Sequence, residues 1–366
     1  MEEWLLDDRL PGLAALPRHP IAVLPTPVLA APGIASAVSG GELWIKQDGL
    51  SHPVYGGNKV RKLELILADA RRKGRDTILT VGGIGTNHGL ATAIHGAEAG
   101  LDVHLVLFAQ PDSDHVRRSL RLYHRFGARM TLAESYVGTA LQVALRKVTS
   151  AARLAGERIY VAGPGGSSAL GTVGFVNAAL ELERQVRDGL CPEPAVIVCA
   201  LGSCGTLAGL VAGVRLTGLR SRVLGVRVTP RAVANPLLVA RLANRALALL
   251  RRRGGDMDVL AIRPSEVEIL DDFYGGEYGL ATEASLEAVA LAGDHGLALE
   301  TTYTGKAFAA TLELLSRDPG GPVLFWNTYN SNDLSKEAGE VDPLDLPPAF
   351  HRYFLDEDRP QSPERP

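Results

Sequence analysis

Five short runs of apolar, β-favouring residues constrain this chain more than anything else in it: 77–81 (Thr-Ile-Leu-Thr-Val), 103–108, 195–199, 223–228 and 323–326. Each is followed by a turn and then by a segment with helical spacing of its apolar residues. Helices are expected at 58–73, 87–99, 114–126, 170–187, 205–217, 282–295 and 304–316. Several stop at a glycine, Gly74, Gly100, Gly127 or Gly296, as a helix ending in a left-handed residue does. Strands that alternate with helices and are apolar throughout belong in parallel sheets covered on both faces, so the chain is read as α/β. Ligand sites in such folds lie at the carboxyl ends of the strands.

Composition narrows the function classes. With 38 Lys+Arg against 41 Asp+Glu the formal charge is −3, no basis for a nucleic-acid partner. Hydrophobic residues make 46% and charged residues 22% of the 366, enough apolar surface for a sizeable core and too much for a disordered chain. No run reaches the roughly 18 uninterrupted apolar residues of a membrane span, and the start, Met1-Glu2-Glu3-Trp4, is acidic where a secretory signal is basic. A cytoplasmic protein is expected. The three cysteines, Cys191, Cys199 and Cys204, form no C-x-x-C pair, and the nine histidines show no H-E-x-x-H, so neither a disulfide framework nor a metal site is expected. His88 and His95, on one helix face, are read as a pocket residue and a surface residue.

Three turns carry chemistry. Gly202-Ser203-Cys204-Gly205-Thr206 follows the apolar run ending at Cys199 and opens a helix. Backbone N–H groups and the positive end of a helix converge there, which suits a phosphate; a tight turn with glycines for packing is the plainer alternative. Gly82-Gly83-Ile84-Gly85-Thr86-Asn87-His88 also follows a strand, yet fails as a dinucleotide fingerprint, because His88 takes the place of the third glycine and Asp102 precedes its strand. Thr86 and Asn87 could face a ligand or simply cap the next helix. In Tyr55-Gly56-Gly57-Asn58-Lys59-Val60-Arg61-Lys62, a lysine stands in the first turn of a helix, where a cation is disfavoured by up to about 1 kcal/mol. A neutral, nucleophilic amine that condenses with an aldehyde would resolve the misfit. Arg61 and Lys62, in the same helix, are read as ordinary solvated charges.

Together these residues resemble the fold-type II pyridoxal-phosphate enzymes, in the branch holding D-cysteine desulfhydrase and 1-aminocyclopropane-1-carboxylate (ACC) deaminase. The resemblance runs from about 20 to 330. It rests on Pro25-Thr26-Pro27, on Leu43-Trp44-Ile45-Lys46-Gln47-Asp48, on the long motif Gly56-Gly57-Asn58-Lys59-Val60-Arg61-Lys62-Leu63, on Tyr278-Gly279-Leu280 and on Tyr303-Thr304-Gly305-Lys306-Ala307. The resemblance implies that Lys59, beside Asn58, holds pyridoxal 5′-phosphate as an imine and later moves protons at the substrate Cα. It implies that Asn87 bonds the cofactor's 3′ oxygen, that Gly202, Ser203, Cys204, Gly205 and Thr206 hold its phosphate, and that Thr304 or Thr328 faces its pyridine nitrogen. Tyr278 and Tyr303 would serve catalysis and line the substrate pocket with Thr86, Asn87 and His88.

The departures fall on the substrate side. Thr86 replaces the usual Ser, adding a methyl expected to alter substrate size or orientation; Gly89-Leu90-Ala91 replaces A-R-Q; and Asn327-Thr328-Tyr329-Asn330 replaces H-T-G-G. ACC deaminase carries Glu at the position of Thr304, which turns the reading from ring opening toward β-elimination from D-cysteine or a relative. ACC deamination, cysteate sulfo-lyase, β-replacement or racemisation chemistry and a non-catalytic cofactor-binding homologue are the alternatives. The resemblance also implies a homodimer, with a large cofactor-binding domain from 1–56 and 166–346, a small mobile α/β domain at 57–165, and a tail at 347–366.

Overall fold

The computed structural model describes residues 4–10, 12–13, 16–38, 40–133, 139–317 and 319–355. In chain order the strands are β1 (Val28–Ala30), β2 (Leu43–Gln47), β3 (Thr77–Gly83), β4 (Asp102–Phe108), β5 (Arg129–Ala133), β6 (Ile159–Val161), β7 (Val196–Leu201), β8 (Arg222–Arg227), β9 (Glu268–Leu270) and β10 (Val323–Asn327). The helices are α1 (Leu6–Arg9), α2 (Pro32–Ala37), α3 (Asn58–Arg72), α4 (Asn87–Glu98), α5 (Asp114–Arg125), α6 (Thr139–Leu154), α7 (Ala169–Arg187), α8 (Gly205–Leu216), α9 (Pro236–Arg252), α10 (Glu283–Asp294), α11 (Thr304–Ser316) and α12 (Ser335–Gly339). The chain divides into two compact units, a larger one from 1–74 and 162–332 and a smaller one from 75–161 and 333–366.

The larger unit holds a six-stranded sheet in the order β1-β2-β10-β7-β8-β9, parallel except for β1. Alternation along β7 explains its two-sided burial. Ile197, Cys199 and Leu201 pack with Leu207, Leu210 and Phe175 from α8 and α7, while Val196, Val198 and Ala200 pack with Phe308 and Ala307 of α11 and Ala292 of α10. Helices α7 and α8 approach closely because glycines line the contact: a Cβ on Gly209 would stand 2.3 Å from Phe175 Cβ, and one on Gly213 2.4 Å from Ala179 Cβ. Helix α3 lies in this unit and is buried nearly all round.

The smaller unit is built on a parallel four-stranded sheet, β5-β4-β3-β6, with α4, α5, α6 and α12. Residues 348–353 form a 3-10 turn whose Phe350 is fully buried, so the start of the segment read as a tail is packed; 356–366 lie outside the described residues.

The five expected strands and seven expected helices are all present within a residue or two of the stated ends. Sequence periodicity overlooked α6 and α9, although α9 has a clear start in Asn235, whose side chain accepts from Leu238 N, followed by Pro236. Its run of arginines near the carboxyl end masked the apolar face. Two side-chain placements differ from expectation. Arg61 and Lys62 are each 1% exposed instead of solvated, and His95 is fully buried instead of lying on the surface.

Candidate active site

Lys59 is placed by the turn before α3. Gly56 N donates to Asn330 Oδ1 (2.8 Å), Gly57 N to Asp48 O (2.7 Å) and Asn58 N to Thr328 O (3.1 Å), so the helix start is tied to the residues after β2 and to the loop after β10. A Cβ on Gly57 would meet Thr328 O at 2.8 Å, which is why the second glycine is needed. The turn of α3 beyond Lys59 is locked from beneath. Arg61 bonds Asp48 Oδ1 through Nε (3.0 Å) and Nη2 (2.8 Å), and Glu181 Oε2 through Nη1 (2.8 Å). Lys46 closes the same cluster on Glu181, Gln185 (2.8 Å) and the Thr26 carbonyl (2.6 Å). Burial alone would raise the Glu181 carboxyl, but Arg61 and Lys46 bring it down to about 2.

Burial lowers Lys59 to about 8, with the Glu300 carboxylate opposing the shift. Lys59 Nζ donates to Asn58 Oδ1 (2.8 Å), and Asn58 Nδ2 to Thr206 Oγ1 (2.9 Å), which joins the lysine to the first turn of α8. That turn is a seat for an anion. Cys204 stands at the helix start with φ 69°, a left-handed conformation rare for a residue with a side chain. Gly205 N donates to Ser167 Oγ (3.1 Å), which in turn shares a hydrogen bond with Ser203 Oγ (2.8 Å). A Cβ on Gly205 would stand 2.5 Å from Ser167 Oγ and 2.8 Å from Lys62 Nζ, and one on Gly165 2.0 Å from Ser203 Oγ. Lys62 Nζ donates to Gly165 O (3.2 Å), and among the described residues no carboxylate pairs with it. Burial first, then the neighbouring Lys59, push it well below its usual value. A dianionic group here would satisfy Lys62, the hydroxyls and the helix end at once.

Tyr303 and Tyr278 meet hydroxyl to hydroxyl, their rings 6.0 Å apart and steeply inclined at 72°. The Tyr303 ring lies over the anion seat, since a Cβ on Gly202 would be 3.3 Å from its Cε1. Thr304, the first residue of α11, is 1% exposed; its Oγ1 accepts from Glu300 N (3.0 Å). Glu300 closes the amino end of α11 by accepting from Thr302 N (2.8 Å), Tyr303 N (2.9 Å) and Thr304 N (2.8 Å). Thr328 is half-buried, with its carbonyl committed to α3.

The larger unit thus brings together Asn58, Lys59, Gly202, Ser203, Cys204, Gly205, Thr206, Tyr278, Tyr303, Thr304 and Thr328. Thr86, Asn87 and His88 belong to the smaller unit, just beyond β3. Thr86 caps α4, accepting from Gly89 N (3.4 Å), and Asn87 is half-buried in its first turn. The methyl of Thr86 packs on Gly82 and Gly89, where added Cβ atoms would stand 2.5 and 2.6 Å from its Cγ2. The methyl is therefore housed by two glycines, Gly82 and Gly89. Sequence reading missed Ser167, Gly165, Lys62 and Glu300. The dense run Pro164-Gly165-Gly166-Ser167-Ser168 before a helix was the available signal for the first two.

A lysine amine near neutrality, an anion seat and a phenol pair suit a flat phosphorylated aldehyde and a small substrate. The family model described as "Pyridoxal-phosphate dependent enzyme" matches residues 20–328. The D-cysteine desulfhydrase of Klebsiella pneumoniae subsp. pneumoniae is 32% identical over 328 residues, 87% of this chain and 95% of that protein. The D-cysteine desulfhydrase of Salmonella schwarzengrund is 33% identical over 327 residues, covering 86% and 94% of the two chains. Among solved structures, an ACC deaminase homologue aligns with a TM-score of 0.75 at 29% identity, over 90% of this chain and 95% of its own. A threonine deaminase from T.th. shares the fold, with a TM-score of 0.58 at 19% identity over 84% and 93%. Its fold, its half-buried lysine and these likenesses together assign the chain to the pyridoxal-phosphate dependent enzymes.

Proposed function

We propose that the chain is a lyase that eliminates the Cβ substituent of a small amino acid, with D-cysteine the first candidate: D-cysteine and water give pyruvate, ammonia and hydrogen sulfide. The observation that carries the reading is Lys59, a half-buried lysine whose amine desolvation lowers to about 8, beside an anion seat. Pyridoxal phosphate, when bound, supplies the electron sink that acidifies the substrate Cα. Lys59 holds the cofactor and, once released by substrate, accepts the Cα proton. Gly205 N–H, Ser203, Ser167 and Lys62 bind the phosphate, with Gly202, Cys204 and Thr206 shaping the turn, and Asn58 orients Lys59. A hydroxyl of the Tyr278–Tyr303 pair would give its proton to the departing sulfur. Thr304 or Thr328 would face the pyridine nitrogen; the Thr304 hydroxyl is buried at the start of α11 and bonds Glu300, whereas Thr328 commits its carbonyl to α3 and keeps its hydroxyl. A hydroxyl there in place of the glutamate of ACC deaminase favours elimination over ring opening.

Asn87 as partner of the cofactor's 3′ oxygen, Thr86 and His88 as substrate contacts, and a cytoplasmic homodimer complete the reading. The test is the visible spectrum of the purified enzyme with D-cysteine, ACC and D-cysteate, with pyruvate and 2-oxobutanoate assayed together. Pyruvate and sulfide from D-cysteine, abolished in Lys59→Ala, support it. Turnover of ACC alone, or turnover surviving Lys59→Ala, refutes it.

A further inference from the structure

Lys306 is a cation in the first turn of α11, fully buried, and among the described residues no carboxylate pairs with it. Both its burial and its position at the positive end of a helix are unfavourable. Burial lowers it to about 8, against the pull of Glu300. Its Nζ donates to Tyr274 O at 2.5 Å and lies 5.7 Å from the centroid of the Tyr274 ring. Arg227 lies 5.0 Å from the same ring and also bonds Asp271, which Arg231 holds as well. Residues 271–274 are thus gripped by three cations. Beyond them Gly275, Gly276 and Gly279 have φ of 77°, 86° and 85°, and Tyr278 stands between the last two. The segment 275–277 is exposed, with little of its own to fix it. It comes close to its surroundings at Gly275, where a Cβ would meet Thr282 Cγ2 at 2.5 Å and Lys306 Nζ at 3.6 Å.

From this geometry we infer that Lys306 is a positioning residue: by holding the Tyr274 carbonyl it sets the 275–279 loop so that the Tyr278 hydroxyl meets Tyr303. The helix that begins just after Tyr303 carries Lys306 three residues on, so one rigid element fixes both halves of the phenol pair. The inference rests on the proposed role of that pair in the reaction.

The test uses the holoenzyme with Lys306→Met, which keeps the stem and removes the donor. Losing a charged hydrogen bond of this kind is expected to speed amide exchange across 275–280 by about tenfold or more, leaving α3 and the 202–206 turn unchanged. On D-cysteine, kcat/KM should fall by about tenfold, and Lys306→Met combined with Tyr278→Phe should lose no more than about twofold beyond Tyr278→Phe alone. Unchanged exchange in 275–280, or losses that multiply in the double variant, would overturn it. Exchange reads the latch without substrate, so a wild-type enzyme inert toward D-cysteine would refute the proposed reaction and leave the latch to be judged on exchange. Should Lys306→Met not accumulate folded, Lys306→Leu, which also lacks a donor, is judged by the same two criteria.

Discussion

Gly89→Ala should reverse its sign of effect depending on residue 86. An alanine Cβ at this position would stand 2.6 Å from Thr86 Cγ2 but 3.5 Å from Leu105 Cδ1 and 3.6 Å from Tyr123 Cε1, ordinary contacts. The conflict is thus with one methyl. Tyr123 OH (3.0 Å) and Leu90 N (3.2 Å) hold the Thr86 carbonyl, and Gly89 N donates to its Oγ1 (3.4 Å), so turning the methyl aside gives up that cap. Overpacking of this kind costs about 1–3 kcal/mol, and alanine for glycine in a helix returns about 0.5–1 kcal/mol. Gly89→Ala alone should therefore destabilise by roughly 0.5–2 kcal/mol. In Thr86→Ser the methyl is gone, and the same change should stabilise by up to about 1 kcal/mol. Urea midpoints for the wild type, both single variants and the double variant, at constant slope, give the coupling. Additivity within about 0.5 kcal/mol would refute the argument that Gly89 exists to house the Thr86 methyl.

The capture of pyridoxal phosphate by apoprotein should quicken as pH rises through about 8, since only the unprotonated Lys59 amine attacks; a stopped-flow midpoint near the ordinary lysine value of 10.5 would contradict the burial argument. Glu181→Leu leaves Lys46 without a carboxylate and Arg61 with Asp48 alone, and should cost about 3–5 kcal/mol in a denaturation series, with no loss sinking the idea that the network holds α3. Because the folded Glu181 carboxyl is depressed to about 2 from 4.5, its contribution is complete above pH 4.5 and drains away as pH falls toward 2; Glu181→Gln should flatten that part of the acid profile. Gly165→Ala puts a Cβ 2.0 Å from Ser203 Oγ in a residue with φ 63°, so cofactor affinity measured by fluorescence titration should drop by about tenfold or more, and an unchanged value would remove Ser203 from the anion seat.

What the amino-acid order made legible was local. The helix stops at Gly74, Gly100, Gly127 and Gly296 all have positive φ, because a helix end is decided by its own few residues. The uninterrupted apolar runs became β3, β4, β7, β8 and β10 for the same reason. The charges of α3 were misread because their partners are far away in sequence: Arg61 finds Glu181 and Lys62 finds Gly165, over a hundred residues on. Ser167 was invisible as a binding residue, since only the approach of its loop to Gly205 gives it a role. His95 was misplaced because one helix face can be covered on both its turns by neighbours that periodicity alone does not reveal. The room that Gly82 and Gly89 leave for the Thr86 methyl was equally out of sight, since it depends on how the turn before α4 folds back on itself.

The strand made last stands in the middle. β10 pairs with β2 on one side and β7 on the other, in register from Val323 with Leu43 and Val196. While the ribosome works from residue 202 to residue 322, β2 and β7 each lack the strand that will lie between them, leaving edges of the kind that invite pairing with other chains. Growth of the sheet is not outward from a finished centre but a late insertion that joins two halves. Chains that terminate before residue 323 should therefore be recognised by the cell as aggregation-prone fragments, not tolerated as slightly shortened enzymes.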